Sequence, residues 1–428
     1  MKITVVNKKY EDVMAMPKEK RRKPMKQRFF WRWLMKFVAG FDLRATNFKY
    51  QEIDMDLLPE DQPCLVLMNH SSFIDLEIAA KVMYPKRYSV VCTSDACTGI
   101  MSLVMRWIGC IPTQKFVTDT GLIRNMLYAV QDLKSSVVLY PEASYSFDGT
   151  ATPLPDSTGR LVKMLGVPVV MIRTYGAYTR DPLYNGLRRR KVNVSADVKY
   201  LLSMEEVTVK GADEINEIIR EEFSFDNFQW QQDYKICVNE PFRAEGLNRV
   251  LYKCAHCETE GQMDSKGTKV FCKHCGKQYE LTEYGYLEAD DGETRFDHVP
   301  DWYQWERECV RKEIENDTYH LEVPVDICMM VNSKCIYRVG EGVLKHSKEG
   351  FQLSGCDGKL DYTQKPMSSY SLYSDYYWYE IGDVICIGDM NISYYCFPKG
   401  CGDIVAKTRL ATEELYKFVK KNKKIKHK

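Results

Sequence analysis

The sequence predicts an α/β protein: a mainly parallel sheet with flanking helices, then a small cysteine-rich module, then a β-rich domain closed by a helix. Three observations carry this reading. Short, wholly apolar runs alternate with helical patterns between residues 63 and 172. Cysteine and glycine concentrate in 250–290, and short β-type runs with turn signals fill 316–402 before a last helical stretch. The 428 residues suffice for two or three cores. A content of 45% hydrophobic and 28% charged residues excludes a disordered chain, a collagen-like repeat and a polytopic membrane protein.

Residues 1–48 form the first expected unit, a basic, aromatic, amphipathic segment. Lys18, Lys20, Arg21, Arg22, Lys23, Lys26 and Arg28 precede an aromatic block from Phe29 to Val38, interrupted by Arg32 and Lys36. The block is far short of the roughly 20 apolar residues that span a bilayer. Its composition fits a helix lying in the interface of an anionic membrane. The net charge of +1 hides an asymmetry: residues 1–50 carry +10 and Lys417–Lys428 carry +7, leaving −16 for the body. Basic ends of this kind seek phosphate. Met1–Tyr10 lacks the apolar core and cleavage site of a signal peptide. With no export signal, the sixteen cysteines are read as reduced thiols of a cytoplasmic protein, some of them bound to metal.

The α/β domain is expected over 49–240. Cys64–Met68, Tyr88–Cys92, Val137–Tyr140 and Val167–Ile172 read as buried strands. Leu122, Ile123, Met126, Leu127, Val130 and Leu133 mark an amphipathic helix after Asp119, and Thr158–Leu165 a short one closed by Gly166. In such sheets the ligand site lies beyond the carboxyl ends of the strands. Polar motifs fall there. Asn69-His70-Ser71-Ser72-Phe73-Ile74-Asp75 follows the first strand and Tyr140-Pro141-Glu142-Ala143-Ser144-Tyr145-Ser146 the third, while Gly109–Lys115 reads as a turn leading to a cation. On an ideal helix, residues five apart point about 140° from each other, so His70 meets Asp75 only from the loop before the helix. A carboxylate on one imidazole nitrogen sets the tautomer and leaves the other free to accept a proton.

These blocks, in this order and followed by Val167-Pro168-Val169-Val170-Met171-Ile172, resemble the glycerolipid (lysophosphatidic acid type, PlsC-like) acyltransferase family over residues 50–230. The resemblance implies a glycerolipid acyltransferase-like fold and transfer of a fatty acyl group to a hydroxyl of a lysophospholipid or related acceptor. The donor would be an acyl thioester, acyl-CoA or acyl carrier protein. It makes His70 the general base, Asp75 its orienting partner, and Asn69, Gly109, Lys115, Glu142 and Ser144 the substrate-binding residues. It also implies a place in phospholipid metabolism, peripherally attached to the inner face of a membrane. Two departures bear on the acceptor: Lys115 stands for an arginine of the second block, and Ala143-Ser144-Tyr145 for Gly-Thr-Arg in the third. Lysine keeps the charge but not the bidentate fork. Arg188, Arg189 and Arg190 are candidate replacement cations. The altered third block also supports an alternative, a non-catalytic lipid-binding scaffold.

Residues 248–290 are expected as a four-cysteine zinc ribbon. Cys254-x2-Cys257 and Cys272-x2-Cys275, fourteen residues apart, match two knuckles whose thiolates complete a closed tetrahedral site. Such a site holds structural Zn2+, or iron as in rubredoxin, and leaves no open position for catalysis. Its role is structural or partner docking, with His256 and His274 not ligands. Lys253–Glu280 mixes both charges, so nucleic acid is not an expected partner. Residues 300–428 are expected as the β-rich domain, pleckstrin-homology- or GRAM-like in architecture, with its C-terminal helix and basic tail.

Overall fold

The computed structural model describes residues 3–17, 22–117, 119–400 and 403–426, so Lys18, Lys20 and Arg21 of the basic cluster lie outside the described residues. A short strand, β1 (Val5–Asn7), and helix α1 (Tyr10–Met14) precede helix α2 (Phe29–Ala45). The α/β body then runs β2 (Lys49–Ile53), β3 (Leu65–Met68), α3 (Ile74–Met83), β4 (Tyr88–Thr93), α4 (Met101–Trp107), β5 (Cys110–Thr113), α5 (Thr120–Gln131) and β6 (Ser136–Leu139). It continues with α6 (Thr158–Leu165), β7 (Val169–Tyr175), α7 (Ala177–Arg180), β8 (Ser195–Leu202), α8 (Met204–Val209), α9 (Ala212–Phe223) and α10 (Asn227–Asp233).

These strands form one sheet in the order β2-β8-β7-β3-β6-β4-β5. Strands β3 to β7 are mutually parallel, and β8 pairs antiparallel with β7. Strand β3 shows why the centre is apolar throughout. Val66 and Met68 face the layer built by α2 and α3, while Leu65 and Leu67 face the layer of α5, α6 and α9. With both faces covered, the strand cannot alternate with polar residues. The helix ends follow their sequence signals: Asp119 accepts the Leu122 N–H at 2.9 Å to cap α5, and Gly166 closes α6 at φ 62°. One expectation fails. Residues 110–113, read as part of a turn, form an edge strand, where Pro112 costs no ladder hydrogen bond.

The expected cysteine module is a four-stranded antiparallel sheet: β9 (Met263–Lys266), β10 (Lys269–Cys272), β11 (Gln278–Leu281) and β12 (Leu287–Ala289). Helix α11 (Val299–Glu315) leads to β13 (His320–Met330), β14 (Ile336–Ser347), β15 (Gly350–Gly355), β16 (Leu360–Gln364), β17 (Tyr373–Trp378), β18 (Gly382–Gly388) and β19 (Ser393–Pro398). A four-strand meander and a three-strand meander join where β13 pairs β19, and α12 (Val405–Lys426) follows. The expected 1–48 unit divides: β1 pairs parallel with β14, whereas α2 packs on α3. The ribbon and the β-rich region also share one core. Cys254, Trp302, Val310, Leu353, Leu410 and Leu415 belong to a single apolar cluster that reaches Phe147 and Tyr184 of the α/β body. Helices α11 and α12 join the parts.

Candidate active site

The rim where β3, β4, β5, β6 and β7 end carries the polar blocks. Helix α3 begins at Ile74, which puts Asp75 in its first turn and leaves His70 in the preceding loop. Asp75 Oδ2 lies 3.2 Å from His70 Nδ1 and accepts the N–H groups of Ser71 and Ser72 at 2.7 and 3.0 Å. The loop thus folds around one carboxylate oxygen, much as an N-cap residue gathers the free donors of a helix start. The imidazole lies between the rings of Tyr140 and Tyr145, each centred 4.4 Å away, and Nε2 has no hydrogen-bond partner among the described residues. Burial, with a smaller contribution from Lys115, holds the imidazole pKa well below its ordinary value, so the ring is neutral at pH 7. Burial also pushes Asp75 up to about 7, against the two backbone donors.

Glu142 fixes the same loop from the end of β6. Its Oε2 accepts the His70 N–H at 2.8 Å and its Oε1 the Thr152 N–H at 2.7 Å. Burial pushes this carboxyl up to about 7. The turn it begins holds Ala143 at φ 57°, a left-handed conformation that glycine adopts without strain. Asn69 bridges strands: its Oδ1 accepts the Thr174 N–H at 2.8 Å, and its Nδ2 donates to the Thr174 carbonyl. That joins the end of β3 to β7.

Not every expected residue converges here. Gly109 precedes β5 at its amino end, about 13 Å of strand from the rim. Its φ of 87° and a notional Cβ 2.9 Å from the Tyr88 carbonyl explain the glycine by close backbone approach. Arg188 pairs with Glu245, Arg189 with Asp42, and Arg190 donates to the Tyr184 hydroxyl and the Arg243 carbonyl. None of the three supplies a cation to the rim. Lys115 does reach it, with Nζ 4.3 Å from the centre of the Tyr373 ring.

Sequence reading missed the second wall of the site. The β-rich region and α12 sit directly on the rim: Tyr373 Oη donates to Asp95 at 2.6 Å and Tyr370 Oη to the Pro141 carbonyl at 3.5 Å. Arg409 Nη1 donates to Ser144 Oγ at 3.4 Å and to the Tyr145 carbonyl at 3.2 Å. No spacing signal links positions 265 residues apart. The cavity left between the lobes, lined by Lys115, Gln364, Ser371 and Tyr373, measures about 20 Å³, room for about one water. A groove of about 580 Å³ runs past Thr152 on the other side of Glu142, but Asp148, Asp226, Arg220 and Arg307 make it a poor place for an acyl tail.

The Sγ atoms of Cys254, Cys257, Cys272 and Cys275 all lie within 4.8 Å of one another, with Cys254–Cys275 and Cys257–Cys272 at 3.8 Å. Four sulfurs about 2.3 Å from a tetrahedral centre stand ~3.8 Å apart, so the donor set fits zinc.

Residues 49–174 match the model of the acyltransferase family, a stretch that contains all four sequence blocks. Among solved structures, the chain is similar to the crystal structure of the 1-acyl-sn-glycerophosphate (LPA) acyltransferase PlsC from Thermotoga maritima. The identity is 12% over 45% of this chain and 76% of that one, with a TM-score of 0.38. No curated protein matches the chain.

Proposed function

We propose that the protein is an O-acyltransferase that moves a fatty acyl group from an acyl thioester to a hydroxyl of a lysophospholipid or related acceptor, with His70 as the general base. The observation that carries this reading is the His70–Asp75 contact at 3.2 Å, inside the stretch that matches the acyltransferase family. Asp75 keeps the proton on Nδ1, and Nε2 of the neutral ring takes the proton of the acceptor hydroxyl as its oxygen attacks the thioester carbonyl. Collapse of the tetrahedral intermediate breaks the carbon–sulfur bond, and the imidazolium returns its proton to the departing thiolate. Glu142 holds the His70 backbone; Asn69 holds the loop to β7; Lys115 and Ser144 face the acceptor's side of the rim.

The membrane is the proposed source of the acceptor. Phe30, Trp33, Phe37 and Phe41 project from one face of α2 and are 57%, 44%, 53% and 62% exposed. Ile100, at the start of α4, and Leu103 within it are exposed as well, and Trp107 of α4 stacks on Trp31 of α2. Arg22, Lys23, Lys26 and Arg28 flank it. An aromatic face bordered by cations suits the interface of an anionic bilayer, here the cytoplasmic one. No helix among the described residues is long and apolar enough to cross a membrane. The four thiols would hold a structural Zn2+, tying the two knuckles together.

The test is incubation of the full chain with acyl-CoA or acyl carrier protein thioesters and a panel of lysolipid acceptors. Product formation that His70→Ala removes is expected; unchanged transfer by that variant overturns the assignment. A second reading, the lipid-binding scaffold with a partner-docking ribbon, is favoured by the water-sized cavity under the C-terminal lobe. Absence of product with every donor and acceptor pair selects it.

A further inference from the structure

We propose that the acceptor is a lysolipid with an uncharged hydroxyl head, of the 1-acylglycerol type, selected by Tyr145 and by carboxylates that already claim both cations of the rim. The inference rests on the acyl-transfer reading above and names its acceptor class. A phosphate dianion needs cationic donors that nothing else neutralises. Two cations stand at the rim, and each has its counter-charge. Arg409 is 3% exposed and lies over the Phe147 ring, 4.3 Å from its centre, with Nε 3.5 Å from Glu413 and Nη1 on Ser144 Oγ and the Tyr145 carbonyl. Burial opposes ionisation of Glu413, but Arg307 and Arg409 outweigh it and hold its pKa below the ordinary value. Parting a buried pair leaves a charge uncompensated, so Arg409 stays with Glu413.

Lys115 rests over the Tyr373 ring. Burial disfavours its charge, while Asp95 and Asp375 nearby favour it. Asp95 is 1% exposed and accepts from the hydroxyls of Tyr373, Tyr379 and Tyr395. Asp375, on β17, has a buried Oδ1 with no hydrogen-bond partner among the described residues. Burial lifts this carboxyl to about 7, against the pull of Lys115. Asp95, Glu413 and the ionised share of Asp375 thus offset Lys115 and Arg409, and no positive charge is left over for a dianion. Tyr145 supplies the other half of the argument. Its ring lies against His70, and burial, with Asp75 and Asp375, keeps its phenol neutral. The turn after Glu142 therefore presents an aromatic face beside the base. A glycerol head packs there, whereas a phosphate would lose its hydration with nothing in exchange.

Steady-state kinetics of the full chain test this, with 1-acylglycerol and 1-acylglycerol 3-phosphate as acceptors and palmitoyl-CoA as donor. The native chain is expected to favour 1-acylglycerol at least about tenfold in kcat/KM. Equal use of the two, or a preference for the phosphate-bearing acceptor, overturns the proposal. Tyr145→Arg and Asp375→Asn each add positive charge to the rim and should shift the ratio toward 1-acylglycerol 3-phosphate by about three- to tenfold. Equal losses on both acceptors would show merely structural side chains and overturn the proposed selectors. If Tyr145→Arg fails to fold, Asp375→Asn carries the same expectation, and the native ratio decides the acceptor class without either variant. Failure of the acyl-transfer reading looks different, since neither acceptor then gives product. Calorimetric binding of the two lipids settles the inference in that case. A chain that makes no product yet binds 1-acylglycerol more tightly keeps the pocket and loses the enzyme. Tighter or equal binding of 1-acylglycerol 3-phosphate loses both.

Discussion

The cysteine ribbon and the sheet rim both draw polar side chains to one point, by opposite routes. The ribbon takes its four thiols from 22 consecutive residues, two at each knuckle, and arranges them at tetrahedral spacing. The rim takes His70 from a loop and Asp75 from the helix turn that follows it, Glu142 from another loop, Lys115 from the turn after the edge strand β5 and Arg409 from the last helix. Four thiolates would leave a bound zinc ion no further position. The rim keeps His70 Nε2 without a partner among the described residues. Local chain geometry makes the first site; packing of distant segments makes the second.

The comparison breaks first at the metal. If the ribbon is a structural zinc site, chelation or Cys254→Ser should abolish zinc content and unfold the ribbon, since structural zinc supplies on the order of 10 kcal/mol. Loss of metal with an unchanged thermal transition would remove the structural role. At the rim the expected loss is in turnover: His70→Ala should reduce kcat about 10²- to 10⁴-fold while zinc content and unfolding temperature stay native. A parallel fall in stability would mean that the imidazole is a core residue.

Exposed aromatic residues set a smaller effect. Replacing Phe30, Trp33, Phe37 and Phe41 together by serine should weaken binding to anionic vesicles at least about tenfold, about 1.4 kcal/mol. Equal sedimentation of variant and parent with the vesicles would dismiss the interfacial helix.

Acidity separates stability from activity. Burial lifts Asp75, Glu142, Asp181 and Asp375 to about 7, above the roughly 3.9–4.3 of an unfolded chain. Between about pH 4 and 7 the folded chain holds protons that the unfolded chain has released, so stability declines as pH rises through that window. Turnover has the opposite sign, because ionised Asp75 must hold the Nδ1 proton of His70. Unfolding temperature and kcat/KM that climb together from about pH 5 to about 8 would contradict this. The smallest effect is at Ala143: glycine there should stabilise the chain by about 0.5–1 kcal/mol, read from chemical denaturation.

Much of the fold was legible because its signals are local. The runs Cys64–Met68 and Val167–Ile172 had no polar face to offer, and both became central strands buried on two sides. Asp119 and Gly166 marked helix ends through their own backbone chemistry. At the rim, His70, Asp75 and Glu142 were legible as strand-end motifs, and the structure brings them together. Gly109 shows the limit: its motif position suggested the site, but its left-handed backbone serves the approach to Tyr88. The edge strand at 110–113 was hidden because Pro112 is exposed and Thr113 only partly buried, which leaves two apolar residues to signal it.

By itself, then, the amino-acid order determined the strands, the helix ends, the thiol spacing and the pairing of His70 with its carboxylate. Each depends on residues a few positions apart, where chain geometry leaves few options. Only the tertiary structure decided that β1 joins the far sheet, that the ribbon and the β-rich sheet share a core, and that Arg409 stands at the turn after Glu142. Those contacts span up to hundreds of residues, and what selects them is how apolar faces and buried charges find partners in three dimensions, which no local spacing encodes.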